Sequence, residues 1–310
     1  MKLNRVVIIF KKPSSLHGPS KKGSLARLKN ISPDLFRRRI LMQESHLRTI
    51  EHVEKVLQEF KIRYKIISRE KLEHPSNPPF PPFLKGGVGG FYFSPPRQGR
   101  PTDLIITIGG DGTVLAASHV AGNTPILGVN SMPKTSVGFF CAADAASFKQ
   151  RLIDIKRGKF RFASLPLLEV SLDGKRLPFQ ALNDILFAAT SSAETVQYTI
   201  QVGRKKERQR GSGVWIAAGP GSTAGIRSAG GKVTAINSKR IQYLARELYP
   251  IPGTTYRLKR GFISPGKSLR IISEISDGIA YLDGTKIVYP VHRGAIISVR
   301  IAPIKLRIFL

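Results

Sequence analysis

The distribution of apolar and polar positions divides the chain into two halves of different rhythm. Arg5 to Phe10 is a short apolar run set between charged residues, and it predicts a buried strand. From Ile40 to Phe60 the residues Leu41, Leu47, Ile50, Val53, Val56, Leu57 and Phe60 recur at helical spacing. Tyr64 to Ser68 returns to strand character. Strand, helix and strand at this separation predict a βαβ unit and a parallel sheet. Leu104 to Ile108 and Pro125 to Val129 are apolar runs of the kind expected of strands covered on both faces. Asp144 to Gly158 reads as a capped helix with Phe148, Leu152 and Ile155 on one face. Beyond it the period shifts towards two, with turn signals at Asp173-Gly174, Asp277-Gly278 and Asp283-Gly284.

The chain therefore divides near residue 157 into an α/β half (1–157, Rossmann-like) and a mostly β, sandwich-like half (158–310). Its 310 residues suit two domains and a sizeable core. Residues 74–101 break the pattern, being too rich in proline and glycine for a helix or a central strand, and are expected to be a flexible insertion. Lys11 to Ser32 reads as a polar, basic loop.

Charge narrows the partners. A formal net charge of +30 points to an anionic one. The basic residues form two clusters: Lys11, Lys12, Lys21, Lys22, Arg37, Arg38 and Arg39, then Arg204, Lys205, Lys206, Arg208 and Arg210. Aromatic residues are not interleaved with them as on a base-stacking platform, which disfavours nucleic acid and leaves a solvated basic surface on a protein that handles phosphorylated nucleotides. A single cysteine, Cys141, allows no internal disulfide and suits a reducing compartment. The run Val6 to Phe10 is too short for a signal-peptide core, and no segment reaches the roughly 20 apolar residues of a membrane span. The expectation is a cytoplasmic protein that does not enter membranes.

Three constellations carry chemistry. The first is Gly109-Gly110-Asp111-Gly112-Thr113, after a strand and before the helical run Val114 to Val120. Glycines allow close backbone approach to phosphate, and the following helix start offers free N–H groups and a favourable dipole. A carboxylate among such glycines is electrostatically costly unless its charge is used, either to accept a proton from an attacking hydroxyl or to hold Mg²⁺. A tight turn with an aspartate cap is the plainer alternative. The second is Asn183-Asp184, an amide and a carboxylate able to bond ribose hydroxyls or a base edge, or simply an Asx turn opening a strand. The third runs from Gly219 to Gly231, a small-residue and hydroxyl-rich stretch on which a nucleotide could lie. Gly261 to Ser268 matches the phosphate-loop string letter for letter, but Leu269 to Ser273 reads as a strand where a helix is required. The histidines show no metal-ligand spacing with cysteine. His119 follows the first constellation and is expected at the surface, and Cys141 is expected to pack as a small apolar residue.

Taken in order, these motifs resemble the NAD kinase family, from about Asp103 to the C-terminus. The first motif alone is shared with diacylglycerol kinases, sphingosine kinases and phosphofructokinases; the order of all three is far more specific. The resemblance implies a Rossmann-like domain followed by a β-sandwich, assembled as a homodimer or homotetramer. It implies transfer of the γ-phosphoryl of ATP, with Mg²⁺ or another divalent cation, to the adenosine 2′-hydroxyl of NAD or NADH. Asp111 would be the general base, and Gly109, Gly110, Gly112 and Thr113 would contact phosphates. Phe139, Asn183, Asp184, Arg210, Ser212, Thr223, Ala224, Gly225, Ser228, Asp283 and Thr285 would bind NAD, with Arg210, beside Ser212, as a candidate phosphate contact.

The chain departs from the usual family pattern at three places. Gly211-Ser212-Gly213 stands where many members have Asp-Gly, Ala218-Gly219-Pro220-Gly221 replaces Thr-Pro-Thr-Gly, and Gly225 replaces the tyrosine that follows Thr-Ala. The Gly-Ser-Thr-Ala and Ser-Ala-Gly-Gly phrasing, with Ser212, is similar to a plant branch that prefers NADH. The alternatives are a lipid kinase sharing the first motif, or an inactive protein of the same fold that binds nucleotide or nucleic acid.

Overall fold

Residues 1–12, 32–72, 102–253 and 255–310 are described in a computed structural model of the chain. The basic loop expected from Lys11 to Ser32 lies outside them except for Lys11, Lys12 and Ser32, and the 74–101 insertion lies wholly outside. Two compact units emerge: Met1–Ala163 joined by Arg307–Leu310, and Ser164–Leu306. Alternation along the chain does not reveal that the last four residues rejoin the first unit.

In the first unit β1 (Arg5–Phe10) pairs in parallel with β2 (Arg63–Ser68) on one side and β3 (Leu104–Gly109) on the other. Next to β3 lies β4 (Ile126–Asn130), also parallel, and β4 pairs with β5 (Cys141–Asp144). The order β2-β1-β3-β4 reverses direction at β1. In an open parallel sheet, ligands bind beyond the strand carboxyl ends at such a reversal, and the first glycine constellation follows β3.

Helix α1 spans Pro33–Glu59, with proline at its first turn, where no N–H is needed. Its buried stripe is His46, Thr49, Ile50, Val53, Val56 and Leu57. Leu41 and Leu47, expected on that face, are exposed at 63% and 42%, because the register that buries Val53 and Leu57 turns them outward. Helix α2 is Asp111–Ser118, and α3 is Phe148–Lys156. The start expected at Asp144 moves to Phe148 because Asp144 ends β5 and closes a turn instead. Its Oδ1 accepts from the Ser147 amide (2.9 Å) and hydroxyl (2.6 Å). Phe148, Leu152 and Ile155 are buried from α3, each worth roughly 1.5–3 kcal/mol.

The second unit is a sandwich. One sheet has the order β10-β9-β14-β17-β6-β7, comprising β6 (Ala163–Leu172), β7 (Lys175–Ala181), β9 (Val196–Val202), β10 (Lys205–Gly211), β14 (Leu269–Ser273) and β17 (Ile296–Phe309). The other has the order β13-β12-β11-β8-β15-β16, comprising β8 (Asp184–Ala189), β11 (Gly213–Ala217), β12 (Ile241–Arg246), β13 (Arg260–Ile263), β15 (Gly278–Leu282) and β16 (Ile287–Val291). Alternate residues of both fill one core, among them Phe187, Tyr198, Val214, Ile216, Tyr243 and Ile271. Asp173-Gly174 and Asp283-Gly284 make turns with positive φ at both residues, joining β6 to β7 and β15 to β16. Asp277 lies in the bend between β14 and β15, strands of different sheets, and Gly278 opens β15, so the pair does not close a hairpin. The second basic cluster lies on β10, an edge strand, where repeated positive charge discourages pairing with another edge.

Candidate functional site

In the first unit the chain leaves β3 at Gly109 and enters α2 through Gly110, whose carbonyl accepts the Thr113 amide (2.9 Å). Asp111 occupies the first turn of α2, where a negative charge is favoured by the helix dipole. Both its oxygens are held from outside the helix: Oδ1 accepts the Phe140 amide (2.8 Å) and Oδ2 the Phe139 amide (3.0 Å). The Phe139 ring is 41% exposed and meets buried Phe140 edge-on at 5.1 Å. Gly112 is exposed and Thr113 buried. His119 lies at the far end of α2 from the glycines, away from any phosphate they would hold.

Three residues near this loop carry no recognisable motif. Ser131, just past β4, donates its amide to the Gly109 carbonyl (3.2 Å). Buried His46 lies 2.8 Å from the Ser131 hydroxyl through Nδ1 and 2.7 Å from the Lys11 carbonyl through Nε2. Burial holds the His46 pKa below its ordinary value, so the neutral ring donates from Nε2 and accepts the serine proton at Nδ1. Arg69, in a 3-10 turn after β2, has Nη1 3.3 Å from the position a Cβ on Gly112 would take. A guanidinium beside a helix start adds to the anion-attracting end of α2. Helical spacing could have flagged His46 as a polar residue on an apolar face; nothing in the sequence singles out Arg69.

Cys141 is half-buried, and its thiol is pushed up to about 12, first by burial and then by the negative charge of Asp111. It is a packing residue and a poor nucleophile. Among the described residues no group of three or more His, Cys, Asp or Glu could hold a metal ion. Asp111 is the carboxylate of the glycine loop, and both its oxygens already accept amides. That donor set suits Mg²⁺ carried mainly by substrate phosphates and water, and does not suit an all-protein cage.

In the second unit the constellations 183–184, 219–231 and 283 converge. Asp283, in the β15–β16 turn, accepts the Leu182 amide at Oδ2 (2.8 Å) and the Asn183 and Asp184 amides at Oδ1 (2.7 and 3.2 Å). Its carboxylate thus anchors the Asn183-Asp184 corner. Asp184 is buried, and its Oδ2 accepts the Gly225 amide (3.2 Å). Its pKa is pushed up to about 7, chiefly by burial and then by the charge of Asp283, with the Gly225 N–H acting the other way. Among the described residues the buried Asn183 Oδ1 has no hydrogen-bond partner, an acceptor left for a ligand donor.

The Gly219–Gly231 stretch, expected as one open surface, is two tight helical turns: a 3-10 turn, Pro220–Thr223, and the short helix α4, Gly225–Ser228. Gly221 packs so closely under the Asn183 carbonyl that no Cβ could stand there. Buried Ser222 donates to the Gly219 carbonyl (2.7 Å) and accepts the Thr234 amide (3.1 Å). Thr223 and Ser228 are exposed and Ala224 half-buried. Thr285 is exposed in the turn after Asp283.

Arg210 and Ser212 are not brought to this cluster. Asp184 pairs with Ala217 at one end of β11, whereas Ser212 precedes the other end. Five residue-to-residue steps along the strand separate Ser212 from Ala217, roughly 17 Å at about 3.3 Å per step. Arg210 instead stacks 4.9 Å over the Tyr249 ring and bonds the Thr195 hydroxyl (3.3 Å). The phosphate-loop string ends just before strand β14, where a phosphate loop would need a helix, and Lys267 is exposed.

Comparison with known proteins matches residues 93–160 to the ATP-NAD kinase N-terminal domain. The chain is 30% identical over 289 residues to the NADH kinase of Arabidopsis thaliana, covering 86% of this chain and 83% of that protein. It is 33% identical over 217 residues to a probable NADH kinase of Oryza sativa subsp. japonica, covering 62% of this chain and 66% of that one. In structure it resembles an NAD kinase from Archaeoglobus fulgidus solved in complex with ATP (TM-score 0.64, 18% identity, 99% of this chain and 93% of that one). It also resembles the yeast NADH kinase complexed with NADH (TM-score 0.63, 18% identity, 99% of this chain and 84% of that one).

Proposed function

The chain belongs to the NAD kinase family, and on that premise we propose that it transfers the γ-phosphoryl of ATP to the adenosine 2′-hydroxyl of NAD or NADH. The observation that carries the proposal is the setting of Asp111. It is a carboxylate fixed by two backbone amides at the start of α2, beyond the carboxyl end of β3, where the sheet reverses its strand order. Phosphoryl transfer asks for positioning and charge stabilisation more than covalent help.

In this reading Gly109, Gly110, Gly112 and Thr113, with Arg69 beside them, receive phosphate oxygens. Asp111 orients the acceptor hydroxyl and takes its proton. Mg²⁺, carried by the donor phosphates and water, would supply neutralisation of the phosphate charge and leave Asp111 free to act as the base. Asn183 and Asp184 bond the dinucleotide's ribose and amide groups, Asp283 holds them in place, and Thr223, Ala224, Gly225 and Ser228 line the pocket beside them. Phe139 offers its exposed ring to the dinucleotide. Arg210 and Ser212, at the other end of β11, are left out of this cluster.

The enzyme is cytoplasmic, acts in NADP biosynthesis, and assembles as a homodimer or homotetramer; the lone Cys141 and the family resemblance support this part of the reading. A lipid kinase would leave the Asn183–Asp184–Asp283 cluster without a use.

The test is incubation of the chain with ATP and Mg²⁺, offering NAD and NADH separately, with the phosphorylation position read by phosphorus NMR. A 2′-phosphorylated dinucleotide is expected. No product from either acceptor, with the fold intact, would end the kinase reading.

A further inference from the structure

The position that carries a tyrosine in many family members is Gly225, so the aromatic surface that side chain would supply is missing at its usual place. The structure shows what stands there instead. Trp215 sits in the middle of β11. Its neighbours Val214 and Ile216 turn into the sandwich core, whereas Trp215 turns to the opposite face and packs with Ala217, Ile226 and Leu244. The six-membered edge of its indole meets Gly225: Cη2, Cζ2 and Cζ3 lie 2.9, 3.1 and 3.2 Å from where a Cβ on Gly225 would stand. A side chain at 225 and the indole in this position therefore exclude one another. The same Gly225 donates its amide to Asp184 Oδ2 at 3.2 Å, so the ring borders the proposed dinucleotide-binding residues. Trp215 is half-buried.

We infer that Trp215 is a specificity-determining residue, its indole supplying an aromatic contact to a ring of NAD(H) beside Gly225 and Asp184. The inference rests on the proposed function. Stacking on an aromatic side chain suits this role because heteroaromatic rings present a π-face whatever their edge pattern.

The test compares wild type, W215F, W215A, G225Y and the double variant W215A/G225Y, with NAD, NADH and ATP affinities measured by calorimetry. Stacking lost on truncation to alanine predicts NAD(H) binding roughly 5- to 150-fold weaker in W215A. W215F is expected to stay within about threefold of wild type, and ATP affinity to be unchanged in both, which separates a lost contact from a damaged fold. G225Y alone should lose NAD(H) affinity because its side chain overlaps the indole. W215A/G225Y should recover most of what W215A loses, the new tyrosine occupying the vacated space. Trp215 is the sole tryptophan, so protection of its fluorescence from acrylamide by NAD gives a second readout that needs no variant. Wild type that binds NAD(H) normally while W215A binds within twofold of it, or a tryptophan that NAD does not shield, would overturn this inference alone. A wild type that binds neither NAD nor NADH would overturn the proposed function as well.

Discussion

Replacing Asp184 by asparagine removes a charge that the fold holds at a cost. The group is buried and faces Asp283 across a shared corner, and its pKa stands at about 7 in place of the ordinary 3.8. The folded state therefore keeps a proton that the unfolded chain gives up near pH 4. Wherever the folded state binds more protons, stability falls as pH rises. The loss begins above the unfolded pKa, runs at about 1.4 kcal/mol per pH unit, and levels off above the folded pKa. Between pH 5 and pH 8 this one group removes about 2–3 kcal/mol. The asparagine introduced by D184N would keep an oxygen for the Gly225 amide and carry no charge. Urea unfolding of wild type and D184N at half-unit steps from pH 5 to 8.5 should give midpoints that diverge as pH rises. The variant should be the more stable by about 2–3 kcal/mol at pH 8, and close to wild type at pH 5, while binding NAD(H) more weakly at pH 8. Parallel curves across the whole range would refute the reasoning, because they would mean that the Asp184 carboxyl does not carry a raised pKa.

H46A removes the ring that joins Ser131 to Lys11, leaving Ser131 less fixed against the Gly109 carbonyl. The expected loss is about 1–3 kcal/mol of stability by thermal or urea unfolding, with a lower turnover. G221A forces a methyl group against the Asn183 carbonyl. It is expected to destabilise the second unit and weaken NAD(H) binding, and unchanged affinity by calorimetry would contradict that packing. The Cys141 thiol, at about 12, is expected to resist iodoacetamide at pH 8 in the folded chain and to react readily in urea, as read by mass spectrometry.

Much of the first unit is legible in apolar runs alone, because a parallel strand covered on both faces must be apolar throughout. Val6 to Phe10, Leu104 to Ile108 and Ile126 to Val129 meet that condition but for Thr107, the one polar side chain among them. The glycine constellation is legible for a related reason: few other uses require that residue mixture at a strand's carboxyl end. The α1 stripe is harder. Burial of His46 and exposure of Leu41 and Leu47 depend on the rotation of one helix against its sheet. Hydropathy weighs leucine above histidine and cannot report the Ser131 and Lys11 partners that make the histidine tolerable inside.

The second cluster is built from contacts that no local window contains. Asp283 bonds the Asn183 amide from 100 positions away in the chain. Trp215 reaches Gly225 only because β11 and the turns after it fold back on one another. Sequence order places Ser212 next to β11, just ahead of the third motif, and says nothing of the strand length that separates it from Asp184. A resemblance names such residues together, but only the register of β8 against β11 tells which of them share an end of the sheet.

The most direct test of the central claim is single-turnover transfer of ³²P from γ-labelled ATP to NAD and NADH by wild type and D111N, at saturating substrates and with folding checked by circular dichroism. The account predicts labelled 2′-phosphodinucleotide from wild type. It predicts a rate lower by about 10²-fold or more in the variant, the scale of a lost general base, with ATP affinity little changed. A variant that transfers phosphate at the wild-type rate would contradict the account, since the carboxylate held by the Phe139 and Phe140 amides would then have no part in the reaction.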